Sequence, residues 1–536
     1  MAELILNAEG IKDRAAWEEK GYKLPEYDRD DMIALTRAEP EWVHFGAGNI
    51  FKAFQCRDLQ KLLNDGTMKK GVIAVERRKK GEDTHNGLTA AVTLKADGTV
   101  EKDVIGSIAE TCYLYGGEER LAEIFSAPTL KMVSFTVTEK AYSITDSAGS
   151  LTAEVTADME AGPGKAASYM GKLTALLYTR YRNGALPVAM VSMDNCSHNG
   201  DKLKAAVTAF ADAWVNNGLA DEGFARYIHD GSRVSFPWTM IDKITPSPDM
   251  TVGAMLEEDG LHGFTPVRNE RGTVTAPFVN AEETEYLIIE DSFPNGKLPL
   301  DKAGIIYTDR ETVDKVERMK VTTCLNPLHT ALAVYGCLLG YDRIWKEMKD
   351  EELVRLIKAI GYKEGLPVVT DPGIIAPREF IDTVVNVRLV NPFMPDTPQR
   401  IATDTSQKLP IRYGETIKAY MASDTLDVKQ LRMIPLVFAG WLRYLMAVDD
   451  NGNAFTPSPD PMLGEAQGYV AGFKLGQHIT VDEAMDKLSG LLSNVKVFGV
   501  DLVKCGLAER VCGYFTELTA SVGAVRATLM KYTSQA

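Results

Sequence analysis

A short apolar run, Trp42-Val43-His44-Phe45, stops at Gly46, and apolar residues then recur at helical spacing over 52–64 (Ala53, Cys56, Leu59, Leu62, Leu63). GVIAVE at 71–76 is a continuous apolar run suited to a buried parallel strand. The alternation goes on: helix over 118–126, strand over 129–138, helix over 168–183, strand over 186–193 and helix over 201–216. Strands alternating with helices imply right-handed parallel crossovers, hence an α/β, doubly wound sheet. Upstream, residues 1–40 are polar and helix-prone, with LPEYDR (24–29) as a turn. Past about residue 305 the texture changes. Helical patterns dominate at 310–319, 323–340, 350–361, 426–448, 480–494 and 506–531, and 386–413 reads as one long irregular stretch rich in Pro, Asp, Thr and Arg. The pattern predicts a Rossmann-type dinucleotide domain with an N-terminal extension over 1–305 and a mostly α-helical substrate and catalytic domain over 306–536, with no internal repeat.

Composition narrows the class of function. The chain has 536 residues, 45% hydrophobic and 25% charged, which permits a large core. A net charge of −15 disfavours nucleic-acid and anionic-membrane partners, both of which need clustered Lys and Arg. The seven cysteines are irregularly spaced and form no CxxC, so neither a disulfide framework nor a paired Cys/His zinc pattern is expected, as befits a reducing compartment. MAELILNAEGIKDRAAWEEKG carries early acidic residues and no long apolar run, so no secretory signal is expected; Met433–Val448 contains Arg443 and reads as a buried helix. A soluble, cytoplasmic protein is the expectation; its oligomeric state is left open.

Three segments carry candidate chemistry. Gly46-Ala47-Gly48-Asn49-Ile50-Phe51 lies between strand and helix, where glycine lets the backbone approach a pyrophosphate and the helix start attracts its charge. The third glycine of the usual fingerprint is Phe51 here, and GxG also occurs in ordinary βα turns. Glu76, ending the next strand, is the acidic candidate for the ribose hydroxyls; the adjoining Arg77, Arg78, Lys79 and Lys80 are either a solvated basic turn or acceptors of a 2′-phosphate. Ser192–Gly200 (SMDNCSHNG) follows a strand, where such sheets place ligands, though an Asn/Ser helix cap would read the same way. In MKVTTCLNPLHTALAVYGCLLGY, Lys320, Asn326 and His329 lead into a buried helix, a costly arrangement unless they are paired or functional. None of the 20 tyrosines has a lysine four residues later, and no Cys/His/Glu zinc constellation occurs. If hydride chemistry occurs here, a desolvated lysine is the best available base.

Longer segments go further: HFGAGNIFKAFQ (44–55), SFTVTEKAY (134–142), MDNCSHNG (193–200), FPWTMIDKITP (236–246), EDSFPNGKLPLDKAGI (290–305), MKVTTCLNPLHTALA (319–333) and RLVNPFMPDTPQRIATDTSQKLP (388–410). With LPEYDR they run in order along nearly the whole chain, which resembles the polyol-specific long-chain dehydrogenase/reductase (mannitol dehydrogenase) family. The resemblance implies a Rossmann-type N-domain, a helical C-domain, an active site between them, NAD as cofactor and no metal. It makes Lys320 the general base, Asn195 and Asn326 a polarising pair at the reacting oxygen, and His329 an orienting group. Asp242, Arg388 and Lys408 are substrate-binding candidates. Gly46, Gly48, Asn49, Ile50, Phe51, Glu76, Thr138 and Glu139 are cofactor-binding candidates.

Two departures stand out. Five residues separate Lys320 from Asn326 where the family has four, and Pro327 replaces a glycine. Either a local bulge restores the lysine geometry or its role is disturbed. GNIFK also stands in place of the more usual GxFHR. Arg388, Arg400, Lys408 and Arg412 form a basic cluster in an acidic chain, which suits a carboxylate-bearing substrate. The expected reaction is therefore NAD-dependent interconversion of a keto-sugar acid and its sugar acid (fructuronate and mannonate), with mannitol or another polyol as the alternative. A catalytically inactive NAD-binding sensor is the reading from another class.

Overall fold

The computed structural model describes residues 3–79, 81–269 and 272–534. The chain divides into two compact units: Met1–Lys95 with Thr99–Asp314, and Lys315–Ala536 with the short segment Ala96–Gly98.

The first unit is built on six parallel strands: β1 (Trp42–Phe45), β2 (Val72–Glu76), β3 (Ile108–Tyr113), β4 (Met132–Phe135), β5 (Val188–Ser192) and β6 (Val234–Ser235). Their order across the sheet is β3-β2-β1-β4-β5-β6. This is the doubly wound dinucleotide topology, and its direction reverses between β1 and β4, where such sheets bind ligands beyond their carboxyl ends. Alternate residues face opposite ways along each strand. Val43, Phe45, Ile73, Val75, Val133 and Phe135 enter one core, packed by helices Glu118–Ser126, Tyr169–Arg182 and Asn199–Asn216. Trp42, Val72, Ala74, Met132, Ala189 and Val191 enter the other, under helix Cys56–Asn64. Both faces are covered, so the strands read as unbroken apolar runs.

This unit also holds a second, mixed sheet (Tyr22–Lys23, Val100–Ile105, Thr89–Leu94, Phe278–Glu282), a three-stranded sheet (Thr239–Asp242, Tyr286–Glu290, Ile306–Thr308) and a two-stranded one (Val267–Arg268, Val274–Thr275). Apart from the local hairpin of Thr89–Leu94 with Val100–Ile105 and the short pair Val267–Arg268 with Val274–Thr275, the sequence pattern does not announce them, because pairings such as Thr89–Leu94 with Phe278–Glu282 join segments far apart in the chain.

The second unit is helical. The expected helix over 310–319 is observed at Arg310–Met319, which begins in the first unit and ends in the second, and that over 480–494 at Val481–Leu492. Three expectations are corrected. The 506–531 pattern is two helices, Ala508–Leu518 and Ala524–Thr533, separated at Gly523 with φ +79°. The stretch 386–413 is not irregular throughout; it holds the short helices Pro398–Ile401 and Thr405–Leu409 and two π turns, pieces too short to show a period. The 426–448 helix starts only at Met433. Its first N–H groups are capped by the buried Glu364 carboxylate, which accepts from Arg432, Met433 and Ile434 at 2.6, 2.7 and 2.8 Å. That partner lies nearly 70 residues upstream, out of reach of any local reading.

Glu347 is fully buried, and neither carboxylate oxygen has a hydrogen-bond partner among the described residues. Burial, then the nearby Asp350 charge, pushes its carboxyl well above the ordinary range. A carboxyl raised on folding stabilises the folded state fully below its unfolded pKa and loses that contribution as pH rises toward the folded value. Glu347→Gln is therefore expected to raise the melting temperature at pH 8 by about 2–4 °C for each kcal/mol recovered, and by much less at pH 4. An equal shift at both pH values would refute the protonated assignment.

Candidate active site

The turn after β1 is held by its first glycine. Gly46 has φ +98°, and a Cβ there would lie 2.2 Å from the Thr136 carbonyl oxygen. Its N–H donates to the Val75 carbonyl at 3.0 Å, tying β1 to β2. Gly48 is different: a Cβ there meets nothing within 4 Å, so its backbone faces open space. The first glycine is demanded by the fold, and the second leaves room for something to approach. The chain then enters a π turn, Phe51–Gln55, ahead of helix Cys56–Asn64. The Phe51 side chain is wholly buried and stacks on His44 at 3.8 Å, so only its backbone belongs to the turn. Asn49 donates through Nδ2 to the Pro246 carbonyl at 3.3 Å. Ile50 is partly exposed.

Two cavities flank the turn. One of about 470 Å³ is lined by Gly46, Val75, Arg77, Val137 and Tyr169. The other, about 290 Å³, is lined by Ala47, Lys52, Glu76, Thr111 and Tyr113. Glu76 and Arg77 thus serve different cavities. Arg78 lies over the Tyr115 ring at 4.6 Å, and Arg77 at 5.6 Å from the same ring. Lys80 lies outside the described residues.

The loop after β4 carries Thr138 and Glu139, both exposed. Thr138 has φ +76° and ψ 150°, a region nearly restricted to glycine that costs of order 1–3 kcal/mol. Asp194 holds it there: its carboxylate accepts from the Val137 and Thr138 N–H groups at 3.1 and 2.9 Å and from the Tyr142 hydroxyl. Tyr142 also meets Ser192 Oγ at 2.9 Å, and burial, then Asp194, pushes its hydroxyl pKa well up. Asn195 follows, exposed at the end of β5. Behind it the buried Asn199 amide donates to the Asp194 carbonyl at 3.0 Å and to Thr239 Oγ1 at 2.9 Å. Asp242 is buried at the end of strand Thr239–Asp242, opposite Tyr286. Sequence reasoning singled out Asn195 and missed Asp194 and Tyr142. The available signal was an acid immediately before Asn195 and a tyrosine closing the SFTVTEKAY segment.

In the second unit the odd Lys–Asn spacing has a structural form. Lys320–Cys324 is a π turn, closed by Leu325 N–H donating to the Lys320 carbonyl at 3.1 Å, five residues back. One extra residue in a helix is absorbed this way. The i→i+4 pattern resumes with His329 N–H on the Leu325 carbonyl at 3.1 Å, and helix Asn326–Leu339 opens with Pro327 in its first turn. The bulge and Pro327 coexist because a first turn needs no N–H from proline. Lys320 is buried, only 4% exposed. Two other basic candidates also sit on π turns, Arg388 on Val384–Arg388 and Arg412 on Pro410–Gly414.

Arg412 donates to the Asn326 carbonyl at 3.4 Å and to Thr330 Oγ1, which fixes the first turn carrying Asn326 and His329. His329 Nε2 lies 3.6 Å from Asp396 Oδ2. Burial lowers the His329 pKa, as do the charges of Arg412, Arg400 and Arg388, while Asp396 opposes them. The ring is therefore neutral at physiological pH. The basic cluster is not four equivalent groups. Arg400 pairs with Asp396, and Lys408 gives hydrogen bonds to the carbonyls of Ile401, at 2.9 Å, and Thr403. Burial, then Arg412, pushes Lys408 down to about 8.

Among the described residues no group of three or more His, Cys, Asp or Glu is placed to hold a metal ion, all seven cysteines are free, and no helix is long and apolar enough to cross a membrane.

Residues 40–302 match the mannitol dehydrogenase Rossmann domain and 312–517 the mannitol dehydrogenase C-terminal domain. The chain is 48% identical to a D-mannonate oxidoreductase of Thermotoga maritima over 98% of each chain. It is 27% identical to a D-mannonate oxidoreductase of Escherichia coli, over 87% of this chain and 90% of that one. A structure of Pseudomonas fluorescens mannitol 2-dehydrogenase in ternary complex with NAD and D-mannitol superposes with TM-score 0.68 at 25% identity, covering 99% of this chain and 100% of that one.

Proposed function

Since this chain belongs to the mannitol dehydrogenase family, we propose that it is an NAD-dependent oxidoreductase interconverting a keto-sugar acid and its sugar acid, fructuronate and mannonate. The observation that carries the acid substrate is the basic group gathered at the His329 turn, where Arg400 pairs with Asp396, the neighbour of His329 Nε2, and Arg412 donates to the Asn326 carbonyl and Thr330 Oγ1. Arginine matches carboxylate geometry. The 48% identity to a D-mannonate oxidoreductase supports the same choice.

NAD, when bound, supplies the hydride acceptor for alcohol oxidation. The residues present fit it: Gly46 cannot carry a Cβ, and Gly48 leaves its backbone open. Gly46, Gly48, Asn49, Ile50 and Phe51 would cradle the pyrophosphate, Glu76 the ribose, and Thr138 and Glu139 the next section of the cofactor. Lys320 accepts the hydroxyl proton from the substrate. Asn195 and Asn326 would donate hydrogen bonds to the developing alkoxide, where hydrogen-bond donors stabilise growing negative charge. His329, neutral, orients the hydroxyl; Asp242, Arg388 and Lys408 hold the remainder of the substrate.

The test is turnover with NADH over a panel of keto-sugars and uronates. Fructuronate should give the highest kcat/KM. Faster reduction of fructose would move the assignment to mannitol, and NADH binding without turnover of any member would favour the inactive sensor. NADH should outperform NADPH, from Glu76; the reverse order would transfer cofactor choice to Arg77, which lines the larger cavity. Activity should survive exhaustive EDTA treatment, and its loss with recovery on adding zinc or manganese would overturn metal independence.

A further inference from the structure

The end of β5 carries an acid that the proposed reaction does not use. Asp194 sits one residue before Asn195, and its two carboxylate oxygens receive the Val137 N–H, the Thr138 N–H and the Tyr142 hydroxyl. Both peptide N–H groups therefore point inward, at the sheet. Val137, Lys140 and Ala141 of the same loop line the larger cavity beside Gly46. On its other side Asp194 is fixed through its main chain. Its carbonyl accepts from Asn199 Nδ2 at 3.0 Å and from Cys196 N–H at 2.9 Å, and Asn199 is itself bound to Thr239.

We propose that Asp194 is a positioning residue that sets the cofactor-binding loop after β4 and, through the same residue's backbone, the carbonyl-polarising Asn195. The physical reason lies in Thr138. A threonine at φ +76° and ψ 150° does not stay there by preference, so something outside the loop must supply the stabilisation. A carboxylate accepting several N–H and O–H donors supplies it, because charge-assisted hydrogen bonds are about twice as strong as neutral ones. Without the carboxylate, the loop relaxes to an ordinary conformation and Val137 leaves the cavity wall. An amide at 194 keeps one acceptor oxygen but turns an NH₂ group toward donors.

The inference rests on the NAD-dependent reading only for its probe, NADH. Its experiment is a double-mutant cycle on NADH binding, followed by nicotinamide fluorescence in the full-length protein, with Asp194→Asn, Thr138→Gly and the combined variant. Glycine adopts positive φ without cost, so the loop no longer needs the clamp. Asp194→Asn should weaken NADH binding about tenfold, the equivalent of the strain no longer offset. In the Thr138→Gly background the same change should cost clearly less. A role limited to folding would give the same penalty in both backgrounds, and that result overturns the proposal. So does Asp194→Asn binding NADH as tightly as the parent.

Should Asp194→Asn fail to fold, Thr138→Pro answers the same question from an exposed loop position, since proline removes the N–H and forbids positive φ. Parent-like NADH affinity in that variant overturns the clamp; a loss comparable to that expected for Asp194→Asn supports it. A parent protein that binds NADH but turns over no uronate would sink the substrate assignment and leave this cycle readable.

Discussion

Replacing Lys320 with alanine is expected to lower turnover at least ~100-fold, the usual yield of a positioned general base. NADH affinity should change little, because Lys320 is assigned to substrate chemistry and the glycine turn belongs to the other compact unit. An added primary amine should restore part of the activity by supplying a base in the vacated space. The result is informative because of the extra residue before Asn326. The π turn at Lys320–Cys324 absorbs that residue, and helix Asn326–Leu339 then continues with His329 in its first turns. If the bulge preserves the lysine's role, the loss is large. Turnover within a few-fold of the parent would mean that the insertion has removed Lys320 from the chemistry. His329, kept neutral by burial and by the surrounding arginines, would then be the first acceptor to examine.

The second large effect separates two glycines that look alike in sequence. Gly46→Ala places a Cβ 2.2 Å from the Thr136 carbonyl oxygen at a backbone angle of φ +98°. The conformation alone costs about 1–3 kcal/mol, and relieving the clash must move β1 away from β4. Both the melting temperature and NADH affinity should therefore fall, affinity by at least ~100-fold, since a turn displaced by an ångström no longer presents its N–H groups to the pyrophosphate. Gly48→Ala has no protein atom to strike. Its stability should stay within about 0.5 kcal/mol of the parent. NADH affinity should still drop at least ~10-fold, because the methyl occupies the space in which a cofactor backbone would lie. A Gly48→Ala variant that binds NADH normally would place the pyrophosphate elsewhere.

Much of this protein is legible in its sequence, for reasons that differ by element. Strands buried on both faces must be apolar without a break, so Trp42–Phe45, Val72–Glu76 and Val188–Ser192 announce themselves. Helices such as Glu118–Ser126 and Arg310–Met319 do so through a one-sided apolar period. Lys320, Asn326 and His329, leading into an apolar helix, are conspicuous because burying such groups without purpose is costly. The spacing anomaly between Lys320 and Asn326 is visible as a number.

What that number means is a tertiary matter. One added residue can break a helix or be held as a π turn, and here Arg412 on the Asn326 carbonyl and Tyr413 on the Pro327 carbonyl come from more than 80 residues away to hold it. The same applies to Glu364 capping Met433–Leu445, to the sheet pairing Thr89–Leu94 with Phe278–Glu282, and to Asp194 holding Thr138 at positive φ. Each depends on a hydrogen bond between residues remote in the chain, and no local pattern encodes its partner. The residue types, the alternating strands and helices of the six-stranded sheet and the candidate groups are determined by the sequence itself. The geometry in which those groups are held was decided by long-range hydrogen bonds, because a buried donor or acceptor must find its partner wherever the fold brings one.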